Sequence, residues 1–381
     1  MTSQYHRLIW KNQMQPIAPM PQTRGNEIAR LQGIEALRAV AALMVVLYHM
    51  VMLTDMTIPE YLGIIKKHFG LGVPLFYALS GFVLAYGYLD KLQSRQQIVQ
   101  FYIKRYFRIA PLFYTVLAVW LLFLNLRGVS TPFHDIVLNV SLLFGLVPGK
   151  HESFVAAGWS IGVEILFYLV FPVVAALIRS LRAGVLAFAI AVFVSSSFYT
   201  AAQGLDMGSY AYMNLITHMP TFLAGIIAFL IWQRLGFIQH RSGGIALFGL
   251  FLLIAAAETY WPTSHKILML AKGVRLDLYI WSALFSTFIL SICLWPTRLF
   301  VNPVGATLGK VSFSLYLWHP LVIIFLFGAY KKIGSLLGTG LFSFLCCTAV
   351  TVGLLSLVSL LSFRFVEKPG MAYGKETANA W

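Results

Sequence analysis

Apolar residues in this chain come in long unbroken windows, not in the narrow stripes of soluble amphipathic helices. Windows long enough to span a bilayer occur at about 33–53, 70–90, 109–126, 158–178, 183–201, 213–233, 243–261, 276–295, 311–329 and 339–363. Each approaches the ~20 residues that a helix needs to cross a hydrocarbon core. The pattern predicts an all-α, polytopic membrane helix bundle with ten transmembrane helices. An eleventh run, 136–148, is only thirteen residues long, so it is expected to be a re-entrant or surface-lying segment. Polar stretches at 1–30 and 369–381 read as tails around a membrane domain at 31–368. No internal repeat is evident and the loops are too short for a soluble domain, so the chemistry is expected inside the bundle or at its mouths.

Charge placement gives the orientation. With the N-terminus inside and 136–148 not crossing, eighteen Lys and Arg fall in inner segments and nine in outer ones. If 136–148 crosses, the split becomes fifteen against twelve. The first arrangement satisfies the positive-inside rule better, so both termini are expected to be cytoplasmic. The first thirty residues lack the apolar core of a cleaved signal.

Composition agrees with this reading. The 381 residues are 59% hydrophobic and 11% charged, against roughly 25% charged in soluble domains. The net charge of +15 raises the question of nucleic acid. The cations follow the membrane loops, however, and no nucleic-acid partner is expected. Cys293, Cys346 and Cys347 all sit in apolar windows, giving neither a disulfide framework nor a metal-ligand spacing. The histidines show no metal spacing either, and no metal is expected.

Residues 33–50, GIEALRAVAALMVVLYHM, are the most informative stretch. Eleven helical steps of ~100° bring His49 back to within ~20° of Arg38, ~16 Å further along one face. An ionisable residue inside a membrane helix is a functional candidate. In one reading a phosphorylated ligand enters at Arg38 and its reactive end reaches His49, a separation that suits coenzyme A. In the other, Arg38 snorkels toward headgroups beside Glu35 and His49 is an interfacial histidine. Arg105 and Arg108, in FYIKRYFRIAP, share a helical face and either clamp phosphate or anchor the interface. Glu164, in GWSIGVEILFY, is predicted at a depth near that of His49, where a carboxylate orients an imidazole and raises its basicity. In GVPLFYALSGF, Ser80 and Gly81 are expected to interrupt span two and allow close helix packing. His319, before Pro320 in SFSLYLWHP, is expected to bond either a substrate or a carbonyl freed by the proline.

The Arg38–His49 spacing, GVPLFYALSGF, KRYFRIAP, WSIGVEILFYLVFP, SFSLYLWHP and a terminal FRFVEKP occur in that order. Together they resemble the membrane acyltransferase type 3 family over about residues 30–370. Each motif alone is weak; the ordered set is specific. The resemblance implies a ten-helix O-acyltransferase of the bacterial inner membrane. It would move an acyl group from cytoplasmic acyl-CoA, with acetyl-CoA the expected donor, to a hydroxyl of a glycan or lipid-linked sugar such as exopolysaccharide or lipopolysaccharide. It implies catalytic roles for His49, Glu164 and Arg38 and cofactor contacts from Arg38, Arg105 and Arg108; Trp159, Ser160 and His319 are expected to contact the substrate. His49 is expected to be the general base, with an acyl-histidine route left open. The alternative class is a transporter or flippase of a lipid-linked saccharide, with Arg38 and Glu164 as pathway charges.

Overall fold

The computed structural model describes residues 24–236, 238–260 and 275–381, with side chains from residue 32 onward. Most of the expected N-terminal tail, and His265, lie outside the described residues. The helices are α1 (Arg24–Thr54), α2 (Ile64–His68), α3 (Gly72–Tyr88), α4 (Arg95–Leu126), α5 (Phe133–Val140), α6 (Trp159–Leu177) and α7 (Leu181–Gly204). They continue with α8 (Leu215–Arg234), α9 (Arg241–Tyr260), α10 (Leu276–Leu294), α11 (Pro303–Lys310), α12 (Ser312–Leu337), α13 (Leu341–Ser362) and α14 (Lys368–Asn379). There is no strand among the described residues. Among the described residues, ten helical segments are long and apolar enough to cross a membrane, one for each predicted window. The chain is a multi-pass membrane protein.

Local sequence explains several boundaries. Ser94 and Gln97 form a reciprocal capping box that starts α4 at Arg95, well before the apolar window at 109. Arg105 and Arg108 therefore stand inside a long continuous helix, and not at its first turn. Side chains of Ser180, Asn214 and Asn302 accept the N-terminal N–H groups of α7, α8 and α11, satisfying donors that lipid cannot. The run at 136–148 does not span. It contributes to α5, eight residues long or ~12 Å, whose Phe133, Val137 and Val140 are exposed at i, i+4 and i+7 while Asp135 and Asn139 are buried.

Helix packing depends on close approach, because lipid removes most of the hydrophobic drive between helices. Where α3 crosses α8, a Cβ on Gly81 would stand 2.0 Å from the Phe222 carbonyl oxygen, and one on Gly225 would stand 1.9 Å from that of Ala78. Each helix thus receives the backbone of the other at a glycine. The expected interruption of span two is absent: α3 runs unbroken through Ser80 and Gly81. The missing side chain at 81 serves packing, and the backbone there needs no break. Helices α1, α3, α8, α10 and α12 form the interior. In α9 only Gly244 is buried, which places that helix at the periphery against α10.

The C-terminal residues are not a loose tail. A π-helical turn, Phe363–Glu367, leads from α13 into α14, which packs along α4 with Gly370 against Pro111 and Gly374 against Phe107.

Candidate active site

The sequence SFSLYLWHP at the start of α12 organises the centre of the bundle. At 100° per residue, Ser312, Tyr316 and His319 fall on one face, and Ser314 points ~160° away from Tyr316. The three residues of the first face each meet a different predicted site element. Arg38 Nε donates to Ser312 Oγ at 3.4 Å. Ser160 Oγ donates to Tyr316 Oη at 2.7 Å, and that hydroxyl donates to the Ala157 carbonyl at 2.9 Å. His319 Nε2 lies 3.1 Å from His49 Nδ1. Turned the other way, Ser314 donates to Glu367.

Arg38, Glu164 and Ser160 line one cavity together with Val73, Phe76, Tyr77, Ile161, Phe313 and Tyr316. It holds about 360 Å³ of atom-free space, its open mouth included. The expected pairing of Arg38 with Glu35 is absent: neither forms an ion pair among the described residues. Glu164 is held on the far wall. Its Oε1 accepts from Ser80 Oγ at 2.7 Å and from Tyr168 Oη, one helical turn on, at 2.6 Å. Ser80 is thus committed to a carboxylate. Both donors share one oxygen, which leaves Oε2 for the cavity.

His49 is not part of that lining. It stands beyond Tyr316, whose ring both walls the cavity and packs 5.6 Å from His319. The expectation that Glu164 orients His49 is corrected here. His49 Nδ1 faces the Val45 carbonyl at 3.1 Å and His319 Nε2 at the same distance, while Glu164 is occupied by Ser80 and Tyr168. The reason is geometric: α6 presents Glu164 to Ser80 of α3, while α1 presents His49 to His319 of α12.

The two arginines of α4 differ. Arg108 forms an ion pair with Glu367 at 3.0 Å. Arg105 has no carboxylate within ion-pair reach among the described residues; it donates to Tyr88 Oη at 3.1 Å and lies over the rings of Tyr88, Phe101 and Tyr168. Its Nε is buried without a partner. Trp159 packs edge-on to Tyr77 and against His218, with Ser160 completing the helix start. Ala157, just before it, takes a left-handed φ of +63°, strained for a residue with a Cβ and held by the Tyr316 hydroxyl.

Sequence reasoning missed Ser80, Tyr168, Tyr316 and Glu367 as supports. The i, i+4 spacing of Glu164 with Tyr168 and the shared face of Ser312, Tyr316 and His319 were readable signals. Glu367 had none, because its inward turn depends on the π-helical register. His218, fully buried with neither ring nitrogen hydrogen-bonded in the structure, was also passed over. No group of three or more His, Cys, Asp or Glu able to hold a metal occurs among the described residues.

Comparison with known proteins supplies the context. A family model described as an acyltransferase domain matches residues 31–359. A Staphylococcus aureus protein with the provisional title of O-acetyltransferase is 23% identical over 406 residues, covering 94% of this chain and 60% of its own. A provisionally titled membrane-bound transacylase, BcsY of Komagataeibacter xylinus, is 24% identical, covering 90% of this chain and 84% of its own. An acetyltransferase, also provisionally titled, of Acidianus two-tailed virus is 27% identical, covering 76% and 82%. This chain spans about three fifths of the length of the staphylococcal relatives it matches. No solved structure matches.

Proposed function

Because this chain belongs to the acyltransferase-domain family, matched over residues 31–359, we propose that it is a membrane O-acyltransferase. It takes an acyl group, acetyl in the first instance, from acyl-CoA on the cytoplasmic side and places it on a carbohydrate hydroxyl. The observation that carries the reading is the shared cavity: Arg38 without a carboxylate partner, and Glu164 held opposite, in a space whose Tyr316 wall leads to His319 and His49. A half-buried guanidinium without a counterion is costly, and phosphate is the anion that its planar fork suits best.

The donor's phosphates bind Arg38 and Arg105, with Arg108 contributing through the edge left free by Glu367. Its pantetheine arm enters the cavity, where Glu164 accepts from an amide N–H and Ser160 and Trp159 bound the passage. His49 acts as general base through Nε2, which carries no hydrogen bond to the protein among the described residues. The acceptor oxygen bonds to the thioester carbonyl carbon as Nε2 takes its proton. The C–S bond then breaks, and the CoA thiolate takes that proton back from Nε2. Every proton is returned, and no other reactant is needed.

The test uses the full chain in nanodiscs with radiolabelled acetyl-CoA and candidate glycans. Turnover should disappear with His49→Ala, weaken through KM with Arg38→Ala, and persist with His134→Ala. Movement of a lipid-linked saccharide across vesicles with no acyl transfer would instead support the flippase class. Loss of a roughly 42 Da acetyl increment from surface glycans of a deletion strain would identify the acceptor.

A further inference from the structure

Resting on the acyl-transfer reading and deepening it, we propose that His319 is a positioning residue that keeps the proton of His49 on Nδ1 and leaves Nε2 as the base.

The device begins in the sequence. Pro320 has no backbone N–H, so the carbonyl four residues earlier, that of Tyr316, loses its helical partner. His319 Nδ1 fills the vacancy at 2.5 Å. A carbonyl only accepts, so Nδ1 of His319 carries a proton. In a neutral imidazole the other nitrogen, Nε2, is then an acceptor. His49 Nδ1 stands 3.1 Å from that acceptor and 3.1 Å from the Val45 carbonyl. Both partners require an N–H at His49 Nδ1. Three contacts, two of them to carbonyls, therefore assign one pair of tautomers.

The surroundings keep the pair undisturbed. His319 is fully buried, and its ring packs on those of His49 and Tyr316. The edge of Tyr48 meets His49 at 5.2 Å between centroids. Lys66, Lys67 and His68 lie on α2, which packs against α1, and among the described residues none of them hydrogen-bonds or ion-pairs with His49. No Asp, Glu, Lys or Arg forms an ion pair with either histidine among the described residues. During transfer His49 becomes an imidazolium for one step. Its Nδ1–H still points at two acceptors, so the charge is stabilised without the Nδ1 proton moving.

The inference separates acceptance from bulk. His319→Gln supplies an amide oxygen near the place of Nε2; His319→Ala supplies none. In nanodiscs, His319→Ala should lower kcat by about 100-fold, the lower end of what a misplaced general base costs, with the acyl-CoA KM within about threefold. His319→Gln should stay within about tenfold of wild type. Nitrogen-15 NMR of histidine-labelled wild-type protein should show His49 protonated at Nδ1 and bare at Nε2, and His319→Ala should mix the two tautomers. This readout needs no turnover, so it stands even if the acyl-transfer reading fails. A His49 protonated at Nε2 in the wild type would overturn the proposal. So would wild-type kcat in His319→Ala, or equal losses in the Ala and Gln variants. If His319→Ala does not fold, the wild-type spectrum decides.

Discussion

Arg108 and Glu367 meet at 3.0 Å, guanidinium to carboxylate, although 259 positions separate them in the chain. The Glu367 side chain is 0% exposed and that of Arg108 20%, and Glu367 also accepts from Ser314. The pair ties α4 to the π-helical turn after α13 and makes the docked C-terminal helix part of the bundle. Removing one partner of a buried ion pair strands the other, at about 3–5 kcal/mol. Arg108→Ala should therefore lower the thermal midpoint markedly in detergent. The double variant Arg108→Leu with Glu367→Leu should recover much of that loss. Circular dichroism melting checks both, and an additive double loss would refute the pairing.

Arg105 should behave differently. With no carboxylate to strand, Arg105→Ala should melt closer to wild type than Arg108→Ala does. Under the proposed function it should weaken CoA binding by more than about tenfold, as expected for losing one charge-assisted contact of ~1.5–3 kcal/mol. Isothermal titration with CoA is the measurement, and unchanged affinity would remove Arg105 from the donor site.

The crossing of α3 and α8 leaves no room for a side chain at Gly81 or Gly225, where a Cβ would stand at 2.0 and 1.9 Å from carbonyl oxygens. Gly225→Val forces the helices apart, at a cost of at least the ~1–3 kcal/mol of ordinary overpacking. Reduced monodisperse yield in size-exclusion chromatography is expected, whereas Gly353→Val, with nothing within 4 Å, should be tolerated.

His151 ties the loop before α6 to the turn before α8. Its Nδ1 accepts from the Gly149 N–H at 3.2 Å, its Nε2 lies 3.1 Å from Ser209 Oγ, and that hydroxyl donates to Glu152 at 2.6 Å. Burial pushes the imidazole below its ordinary value, against the opposing pull of Glu152. The opened loop thus binds a proton more readily than the packed one. The tie holds fully above the ordinary histidine value of about 6.5 and weakens as pH falls below it. Hydrogen exchange, corrected for its intrinsic pH dependence, should show residues 147–153 opening at pH 5 relative to pH 7.5. His151→Asn should flatten that difference.

The ten spans, the failure of 136–148 to span and the helical segment carrying Arg38 and His49 were legible because they follow from chain-local quantities. Window length, apolar content and the 100° helical step need no partner. The proline beside His319 likewise announced a freed carbonyl, and the ring was found on it. The partner of His49 was not legible. Glu164 was the expected partner and His319 was expected on a substrate or a carbonyl, and nothing within either segment says which of them faces His49.

Which segments are helical, where they can cross a bilayer and which ionisable side chains they carry into it follow from the order of amino acids within each segment. Tertiary structure alone decided the pairings: His49 with His319, Glu164 with Ser80 and Tyr168, and Arg108 with Glu367. The physical reason is range. Helix formation and insertion are settled by each segment's own hydrogen bonds and its transfer from water to lipid. Contacts between polar groups depend on how far one helix is rotated against another, and that rotation is set by packing at distant positions such as Gly81 and Gly225.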